Sequence, residues 1–87
     1  MRLDKYLKVS RLIKRRTLAK EVCDKGRVEV NGKQAKAGVD VRIGDEIRIR
    51  FGHKRITIRV ESLQEKVRKE ESPTLYTLLH EENIASS

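Results

Sequence analysis

This sequence is poor in cysteine and in aromatic residues. It has one cysteine, Cys23, no tryptophan, and only Tyr6, Phe51 and Tyr76 as aromatics among 87 residues. A single cysteine rules out an intramolecular disulfide framework, which a small extracellular domain would usually need, so a reducing cytoplasm fits better. With so few aromatics no stacking platform for single strands is evident, and recognition of any nucleic acid would depend on its folded, double-helical shape.

Long apolar runs are missing as well. The longest uncharged segment covers residues 72–80, which is less than half of the roughly 20 apolar residues that a transmembrane helix needs. Charged residues interrupt every apolar stretch near the N-terminus, so the sequence predicts no signal peptide. We therefore expect a cytoplasmic protein with no membrane partner.

Basic residues outnumber acidic ones, and the excess is confined to one part of the chain. Lys and Arg number 21 against 13 Asp and Glu, for a formal net charge of +8. Residues 1–60 carry 18 basic and 7 acidic residues, a formal +11, whereas residues 61–87 carry 3 and 6, a formal −3. Such a focused positive field attracts polyanions, which makes RNA, DNA and anionic membranes the classes of partner to consider.

Two short helices are predicted at the start of the chain. Over residues 2–9 and again over residues 15–25, apolar side chains recur three and four positions apart, which is the period of an amphipathic helix. Gly26 is expected to end the second helix. The predicted apolar stripes consist of Leu3, Tyr6 and Leu7 in the first helix and of Leu18, Ala19, Val22 and Cys23 in the second.

The pattern then becomes alternating, which predicts strands. Residues 27–30 alternate and are followed by Asn31 and Gly32, the dipeptide that best tolerates a type I′ hairpin turn. Further alternation over residues 44–51 and 56–60, on either side of a turn at residues 52–53, predicts a meander with one apolar face and one arginine-lined face.

The C-terminal part is predicted to be a tail. Residues 61–71 are acidic with a weakly helical pattern, and residues 72–73 offer an N-cap and a first-turn proline for a short helix containing Leu75, Leu78 and Leu79. These leucines fit packing on the domain and docking of a partner equally well. The sequence therefore predicts an α+β fold. Residues 1–60 form a domain of two basic helices packed on a short antiparallel sheet, and residues 61–87 form an acidic, partly helical appendage.

Basic residues are most concentrated in the first twenty positions, where Asp4 is the single acid. Charge runs are often only solvated faces, but a solubilising surface usually mixes both signs. Arginines would contact phosphates in a bidentate manner and lysines as point charges. A DNA groove is less favoured, because the base-reading Asn and Gln residues lie outside both predicted helices.

Residue types for catalysis or metal binding are scattered. His53 falls in a predicted turn and His80 in the tail, and neither has a cysteine or a second histidine at ligand spacing. Cys23 belongs to a predicted apolar stripe, and the side chains of Asp45 and Glu46 point apart because the residues are consecutive in a turn and strand. No phosphate-binding glycine loop is present. We therefore expect no enzyme activity, no metal and no cofactor.

Several segments in register resemble a known family. The order helix, helix, then Gly26-Arg27-Val28-Glu29-Val30-Asn31-Gly32 is similar to the S4-type RNA-binding domain, over roughly residues 1–50. More specifically, the sequence resembles the stand-alone branch of that family, which holds the fifteen-kilodalton heat-shock and the RqcP quality-control proteins. The positions that carry this likeness are Arg2-Leu3-Asp4-Lys5, Leu7, Arg11, Lys14, Arg16-Thr17-Leu18-Ala19-Lys20-Glu21 and Asn31-Gly32.

The resemblance implies an RNA-binding role on the ribosome. The partners it implies are large ribosomal subunit rRNA, peptidyl-tRNA left after a stalled ribosome has split, and an RqcH-like tailing factor that adds alanines to the C-terminus of the stalled chain. The protein is expected to be a monomer off the ribosome. Carried over by position, the resemblance implies RNA contacts at Arg2, Arg11, Lys14, Arg16 and Lys20, with Arg16 the foremost. The full predicted RNA-binding set also includes Lys5, Lys8, Arg15 and Thr17 from the same basic segment.

Other functions use the same surface. A ribosome assembly factor or a translational regulator would bind structured rRNA or mRNA. The third alternative is a targeting module of an enzyme complex whose catalytic subunit is another chain, or a DNA-binding protein. Two departures from the family pattern also matter. Arg15 stands where many such domains have a helix-capping Ser or Thr, so Thr17 is expected to compensate. The long basic C-terminal extension of the heat-shock members is missing, which favours the compact quality-control form.

Overall fold

Over the residues that the structure describes, the chain forms two helices and one five-stranded antiparallel sheet. The computed structural model describes residues 1–65, 68, 70 and 74–83. The elements are α1 Leu3–Val9, α2 Arg16–Asp24, β1 Val28–Val30, β2 Lys33–Gln34, β3 Glu46–Phe51, β4 Lys54–Val60 and β5 Tyr76–Asn83. The strands lie in the order β2-β1-β3-β4-β5, which confirms the predicted α+β class of two helices on an antiparallel sheet.

Helix α1 begins against the loop that precedes β3. Its N-cap residue, Arg2, gives no side-chain cap hydrogen bond. Instead the first two amides of the helix donate to the carbonyls of Val39, at 2.8 Å, and Ala37, at 3.2 Å, and the Lys5 amide donates to the Asp4 carboxylate at 2.8 Å. These bonds satisfy donors that a helix N-terminus leaves open, and they fix the position of α1 relative to the sheet.

Helix α2 ends where the sequence predicts. Gly26 has a φ of 74° and donates its amide to the carbonyl of Cys23, while the amide of Arg27 donates to the carbonyl of Val22. This is the Schellman arrangement, in which a left-handed residue closes the last turn. A Cβ atom at residue 26 would meet only the end of the flexible, exposed Gln34 side chain, so the left-handed φ rather than a lack of space favours glycine here.

The hairpin from β1 to β2 has the predicted turn. Asn31 and Gly32 have φ values of 53° and 83°, as a type I′ turn requires. Asn31 also fastens the start of β3, because its side-chain oxygen accepts the Glu46 amide at 3.0 Å and its side-chain nitrogen donates to Asp45 at 3.1 Å. The dipeptide therefore sets both a turn and the position of the neighbouring strand.

The core lies between the helices and one face of the sheet. The alternation predicted for the central strands is confirmed, since the isoleucines of β3 and β4 are buried and the arginines between them are not. Both polar faces of the predicted helices also point outward. The buried apolar residues include Leu3, Tyr6, Leu7, Ala19, Cys23, Val28, Ile47, Ile49, Ile56, Ile58, Val60 and Leu75.

One residue of the predicted apolar stripes is placed differently. Leu18 is 46% exposed, and Val22 is only partly buried, whereas Ala19 and Cys23 are almost fully covered. At 100° per residue Leu18 turns off the line through Ala19 and Cys23, and only that narrow line of small side chains faces the core. The prediction that Leu18 belongs to the core is wrong.

The predicted C-terminal helix is also wrong. Residues 76–83 form strand β5, which pairs with β4 from Val60 opposite Tyr76 to Lys54 opposite Asn83, with an irregularity between Thr57 and Ile58. The open edge of β4 offers backbone partners along its length, and this long-range pairing overrides a local helical pattern. Residues 61–65 are irregular rather than helical, and residues 72–73 lie outside the described residues.

The start of β5 is tied to the core. Leu75 is fully buried, and the Tyr6 hydroxyl donates to its carbonyl at 2.7 Å, whereas Leu78 and Leu79 are 52% and 40% exposed. Of the three leucines predicted to lie in one short helix, Leu75 therefore packs in the core, and Leu78 and Leu79 are exposed. The domain boundary after residue 60 stays a prediction, although β5 joins the same sheet. None of the helices that the structure describes is long and apolar enough to cross a membrane.

Candidate nucleic-acid interface

A buried carboxylate holds two arginines at the junction of the helices. Asp4 is 3% exposed, and its oxygens accept Nε of Arg2 and Nε of Arg16, each at 3.3 Å. The two arginine side chains are 53% and 49% exposed. Because Arg16 uses only Nε for this contact, its terminal amino groups stay available for a second acceptor. The arrangement presents two guanidinium groups side by side to solvent.

The environment of Asp4 keeps it ionised. Burial by itself would raise the pKa of this carboxyl. The hydrogen bonds from Arg16 and from the Lys5 amide, together with the charges of Arg16 and Arg2, outweigh burial and hold the pKa below its ordinary value of 3.8. At neutral pH the single acid of the basic segment is therefore a charged support for the arginines.

The remaining cations of the helices are mostly uncompensated. Lys5 is an exception, since its Nζ lies 2.7 Å from Oε1 of Glu65. Five other exposed basic residues form no ion pair with any residue in the described part of the chain. They are Lys8, Arg11, Lys14, Arg15 and Lys20.

Most cations of the two central strands, in contrast, form ion pairs. Four basic residues of β3 and β4 each lie next to a carboxylate, and two of those carboxylates come from β5. Exposed pairs of this kind add little stability, but they cancel charge locally. Lys33 and Arg50 of the described strands form no ion pair, so the sheet keeps some positive charge, and the larger group of unpaired cations lies on the helices and the segment that joins them. The pairs are Arg48 with Glu29, Lys54 with Glu81, Arg55 with Glu82, and Arg59 with Glu61.

Arg11 occupies a backbone conformation that arginine rarely adopts. Its φ is 63°, and its amide donates to the Lys8 carbonyl at 3.0 Å as the chain leaves α1. The left-handed region costs a residue with a Cβ atom about 1–2 kcal/mol. Strain of this kind is common at functional sites, because the surrounding structure maintains it there.

The first turn of α2 has no capping side chain. Arg15, the N-cap residue, is extended and makes no side-chain cap hydrogen bond. The expectation that Thr17 compensates is wrong, since its exposed hydroxyl makes no hydrogen bond with any described residue. A helix start with open amides and flanking basic side chains suits an anion such as phosphate.

The structure places eight of the nine predicted RNA-binding residues on α1, α2 and the segment that joins them, and the ninth, Arg2, directly before α1. Arg2 and Arg16 both contact Asp4, and Lys5 forms an ion pair with Glu65. The other six residues are exposed and form no ion pair with a described residue. Contact of these residues with RNA stays a prediction. Sequence reasoning missed the supporting role of Asp4, although its position as the lone acid among eight bases was a usable signal.

Residues with chemical reactivity lie away from this surface or inside the core. Cys23 is 2% exposed, and burial, with smaller contributions from Asp4 and Asp24, raises the pKa of its thiol to about 11. The interpretation of Cys23 as a core residue is confirmed. His53 lies in the turn after β3, and His80 lies on β5 with Nε2 3.5 Å from Glu82.

Comparison with known proteins identifies relatives over the whole chain. The S4 domain model matches residues 1–47. The chain is 60% identical to the RQC P-site tRNA stabilizing factor of Bacillus subtilis, over 97% of this chain and 98% of that protein. It is 62% identical to the protein of that name from Halalkalibacterium halodurans, over 100% and 99%. Heat shock protein 15 of Vibrio cholerae, solved as a trimer, matches with a TM-score of 0.85 and 38% identity, over 91% of this chain and 81% of that one.

The family model covers more than half of the chain, and the relatives match it almost from end to end. The matched part includes both helices, the turn at residues 31–32 and the Asp4 cluster. The chain therefore belongs to the S4 domain family, in the group of the RQC P-site tRNA stabilizing factors.

Proposed function

We propose that this protein is a non-catalytic RNA-binding factor of ribosome-associated quality control. It binds the large ribosomal subunit that still carries peptidyl-tRNA and stabilises that tRNA in the P site. The observation that carries the proposal is the match at about 60% identity, along almost the full chain, to proteins named RQC P-site tRNA stabilizing factor. An RqcH-like tailing factor then adds alanines to the C-terminus of the stalled chain.

The surface of α1 and α2 supplies the contacts in this proposal. Arg2 and Arg16, fixed by Asp4, are suited to bidentate binding of phosphates on folded RNA. Lysines on the same surface add point charges, and the exposed Thr17 hydroxyl adds a polar contact at the start of α2. The full set is Arg2, Lys5, Lys8, Arg11, Lys14, Arg15, Arg16, Thr17 and Lys20.

The chain supplies binding, and other molecules supply the chemistry. Its role is to keep the tRNA in place while the tailing factor and the ribosome act, so we infer that it is not an enzyme and that it works in the cytoplasm with the ribosome. We propose that it is a monomer when unbound. Sedimentation velocity at micromolar concentration tests this, since its solved relative from Vibrio cholerae is a trimer.

The central experiment is sedimentation with large subunits that carry peptidyl-tRNA. The tagged protein is expected to sediment with these subunits and not with subunits from which the tRNA has been released. Arg16→Ala should lose most of the association, and Arg16→Lys, which keeps the charge but not the planar fork, should recover only part. Arg48→Ala removes the same charge from the opposite face of the sheet and should bind like the unchanged protein.

Two results would overturn the proposal. Arg16→Ala could bind as well as the unchanged protein while circular dichroism shows that both are folded. Alternatively, RNA crosslinked to the protein in cells could be enriched in precursor rRNA or in one messenger over tRNA and mature large-subunit rRNA. The second result would assign the same surface to ribosome assembly or to translational regulation.

A further inference from the structure

An open depression lies beside the start of α2. It has a volume of about 390 Å³ and is lined by Lys14, Arg15, Thr17, Leu18 and Glu21. This size is at the lower end of the range for small-molecule pockets, about 300–1,000 Å³. Its lining combines two cations, a hydroxyl, an aliphatic side chain and a carboxylate within one stretch of eight residues.

Two of these residues do not fit a surface that binds phosphate alone. Leu18 is 46% exposed, and an aliphatic side chain offers nothing to a phosphate. Glu21 is exposed, and its carboxylate makes no hydrogen bond or ion pair with any residue that the structure describes. A free carboxylate repels phosphate, so its presence on the cationic surface indicates a ligand group with hydrogen-bond donors.

The positions of these side chains match the parts of a nucleotide. Leu18 and Glu21 are three residues apart on α2 and so lie on the same side of the helix. Lys14 and Arg15 line the depression from the segment just before the helix begins. A base resting on Leu18 would have its edge toward Glu21 and its phosphate toward the two cations.

We propose that this depression binds one unpaired guanine nucleotide of the RNA that the protein recognises, and this inference rests on the function proposed above. An ionised carboxylate only accepts hydrogen bonds. Guanine presents two adjacent donors, N1–H and the N2 amino group, which match the two oxygens of Glu21. Those donors are occupied in a base pair, so the guanine must be unpaired, as in the loops and bulges that proteins read by base edges.

The other bases match Glu21 less well. Cytosine and adenine each place one amino donor beside a ring nitrogen that accepts, so the second carboxylate oxygen would face an acceptor. Uracil has a single donor between two carbonyl oxygens. The expected order of affinity at this position is therefore guanine first, cytosine and adenine next, and uracil last.

The test uses four stem-loop RNAs that differ only in the identity of one bulged nucleotide. Binding of the full-length protein is measured by fluorescence anisotropy. The RNA with bulged guanosine should bind roughly tenfold more tightly than the one with bulged uridine, a ratio typical of one bidentate base contact. Glu21→Gln should reduce this preference to about twofold or less, because the amide replaces one acceptor with a donor. Leu18→Ala should weaken binding of all four bulged RNAs and preserve their order.

Asp24→Asn is the matched control for Glu21→Gln. Asp24 is an exposed acid on the same helix but does not line the depression, so its substitution changes the net charge equally and should leave the guanosine preference intact. Equal affinity of the unchanged protein for all four bulges would overturn the inference. So would a guanosine preference that survives Glu21→Gln.

The proposed function is tested separately by Arg16→Ala on the same RNAs and on the large subunit. Loss of affinity for all four RNAs, with loss of subunit binding, supports the proposed function whatever the bulge experiment shows. Unchanged subunit binding by Arg16→Ala would contradict the proposed function, while the bulge series would still decide whether guanine is read at Glu21.

Discussion

Asp4 and Arg16 join the N-terminal ends of the two helices, with Nε of the arginine 3.3 Å from Oδ2 of the buried carboxylate. Asp4 is the second residue of α1 and Arg16 the first of α2. The same carboxylate accepts Arg2, so one acid orients cations from two separate segments. The acid within this basic surface therefore organises the surface rather than weakening it.

The substitution Asp4→Asn distinguishes two possible sources of RNA affinity, the positioning of Arg2 and Arg16 and the net charge of the protein. The substitution raises the formal net charge by one from +8, so unspecific attraction alone predicts tighter binding to RNA. We expect weaker binding, by several-fold, because neither arginine keeps a charged partner. Unfolding free energy should fall by about 1–3 kcal/mol from loss of the charge-assisted bonds. Titration of the large subunit and urea denaturation measure the two effects, and tighter binding by the variant would contradict the positioning role.

Stability should fall in acid partly through Asp4. The folded pKa of Asp4 lies below 3.8 because of Arg16, the Lys5 amide and Arg2, whereas the unfolded chain keeps the ordinary value. The stabilisation is complete above 3.8 and is lost as pH drops through the folded pKa, because the unfolded state binds the proton first. Urea denaturation between about pH 5 and pH 3 should show a steeper loss for the unchanged protein than for Asp4→Asn.

Some acid sensitivity should persist in Asp4→Asn. Glu61 and Glu82 also have lowered pKa values, the first through hydrogen bonds from Thr77 and Arg59 and the second through Arg55. Identical pH profiles for the two proteins would show that Asp4 titrates alike in the folded and unfolded states.

Replacing Arg11 with glycine should raise the stability of the protein and weaken its binding to RNA. Arg11→Gly relieves the left-handed conformation, worth about 1–2 kcal/mol, but adds freedom to the unfolded chain, worth about 0.5–1 kcal/mol. The balance of the two effects gives an expected net gain of up to about 1.5 kcal/mol in unfolding free energy. Arg11→Ala keeps the strain and should leave stability unchanged. Both variants should lose the same amount of RNA affinity. If Arg11→Gly is no more stable than Arg11→Ala, this backbone is not strained.

Much of the fold was accessible to local reasoning, because local contacts decide it. The periods of α1, β3 and β4, the stop at Gly26 and the turn at Asn31 all depend on residues close in sequence, and the structure agrees with each. The φ of Arg11 had no sequence signal, since arginine is not a residue that favours positive φ.

The failures depend on distant partners. Residues 76–83 form a strand because the edge of β4 is open to them, and no window of local sequence contains that information. Leu18 is exposed because only small side chains of α2 face the core, which depends on how closely neighbouring elements approach. The clustering of cations at the site was predictable from composition, whereas the bonds to Asp4 required the relative placement of the two helices.

Salt should weaken RNA binding steeply. For five phosphates neutralised, affinity for folded RNA should drop roughly 10²–10³-fold between about 50 and 200 mM salt. Lys8→Ala should make the slope of log affinity against log salt shallower by about one. Arg48→Ala, which removes the same charge from the outer sheet face between buried Ile47 and Ile49, should leave the slope unchanged. Equal slopes in all three proteins would place the interface elsewhere.

The leucines of the C-terminal part should differ in their effect on stability. Leu75 is fully buried, so Leu75→Ala should lower the unfolding free energy by about 2–5 kcal/mol. Leu78 is 52% exposed, and Leu78→Ala should change it by no more than about 0.5 kcal/mol. Thermal and urea denaturation of both variants measure the difference. Similar losses would indicate that β5 packs through its exposed leucines as well.

The carboxylates that β5 places beside Lys54 and Arg55 also affect how the protein approaches its target. By pairing with these two cations while most cations of the helices stay unpaired, they move the net positive charge of the molecule toward the helices and so contribute to an electric dipole. In the field of a polyanion such a dipole turns a diffusing molecule before contact. Strand β5 is thus expected to raise the fraction of encounters in which the helices are the first part of the protein to contact the RNA. None of its own side chains is among the proposed contacts.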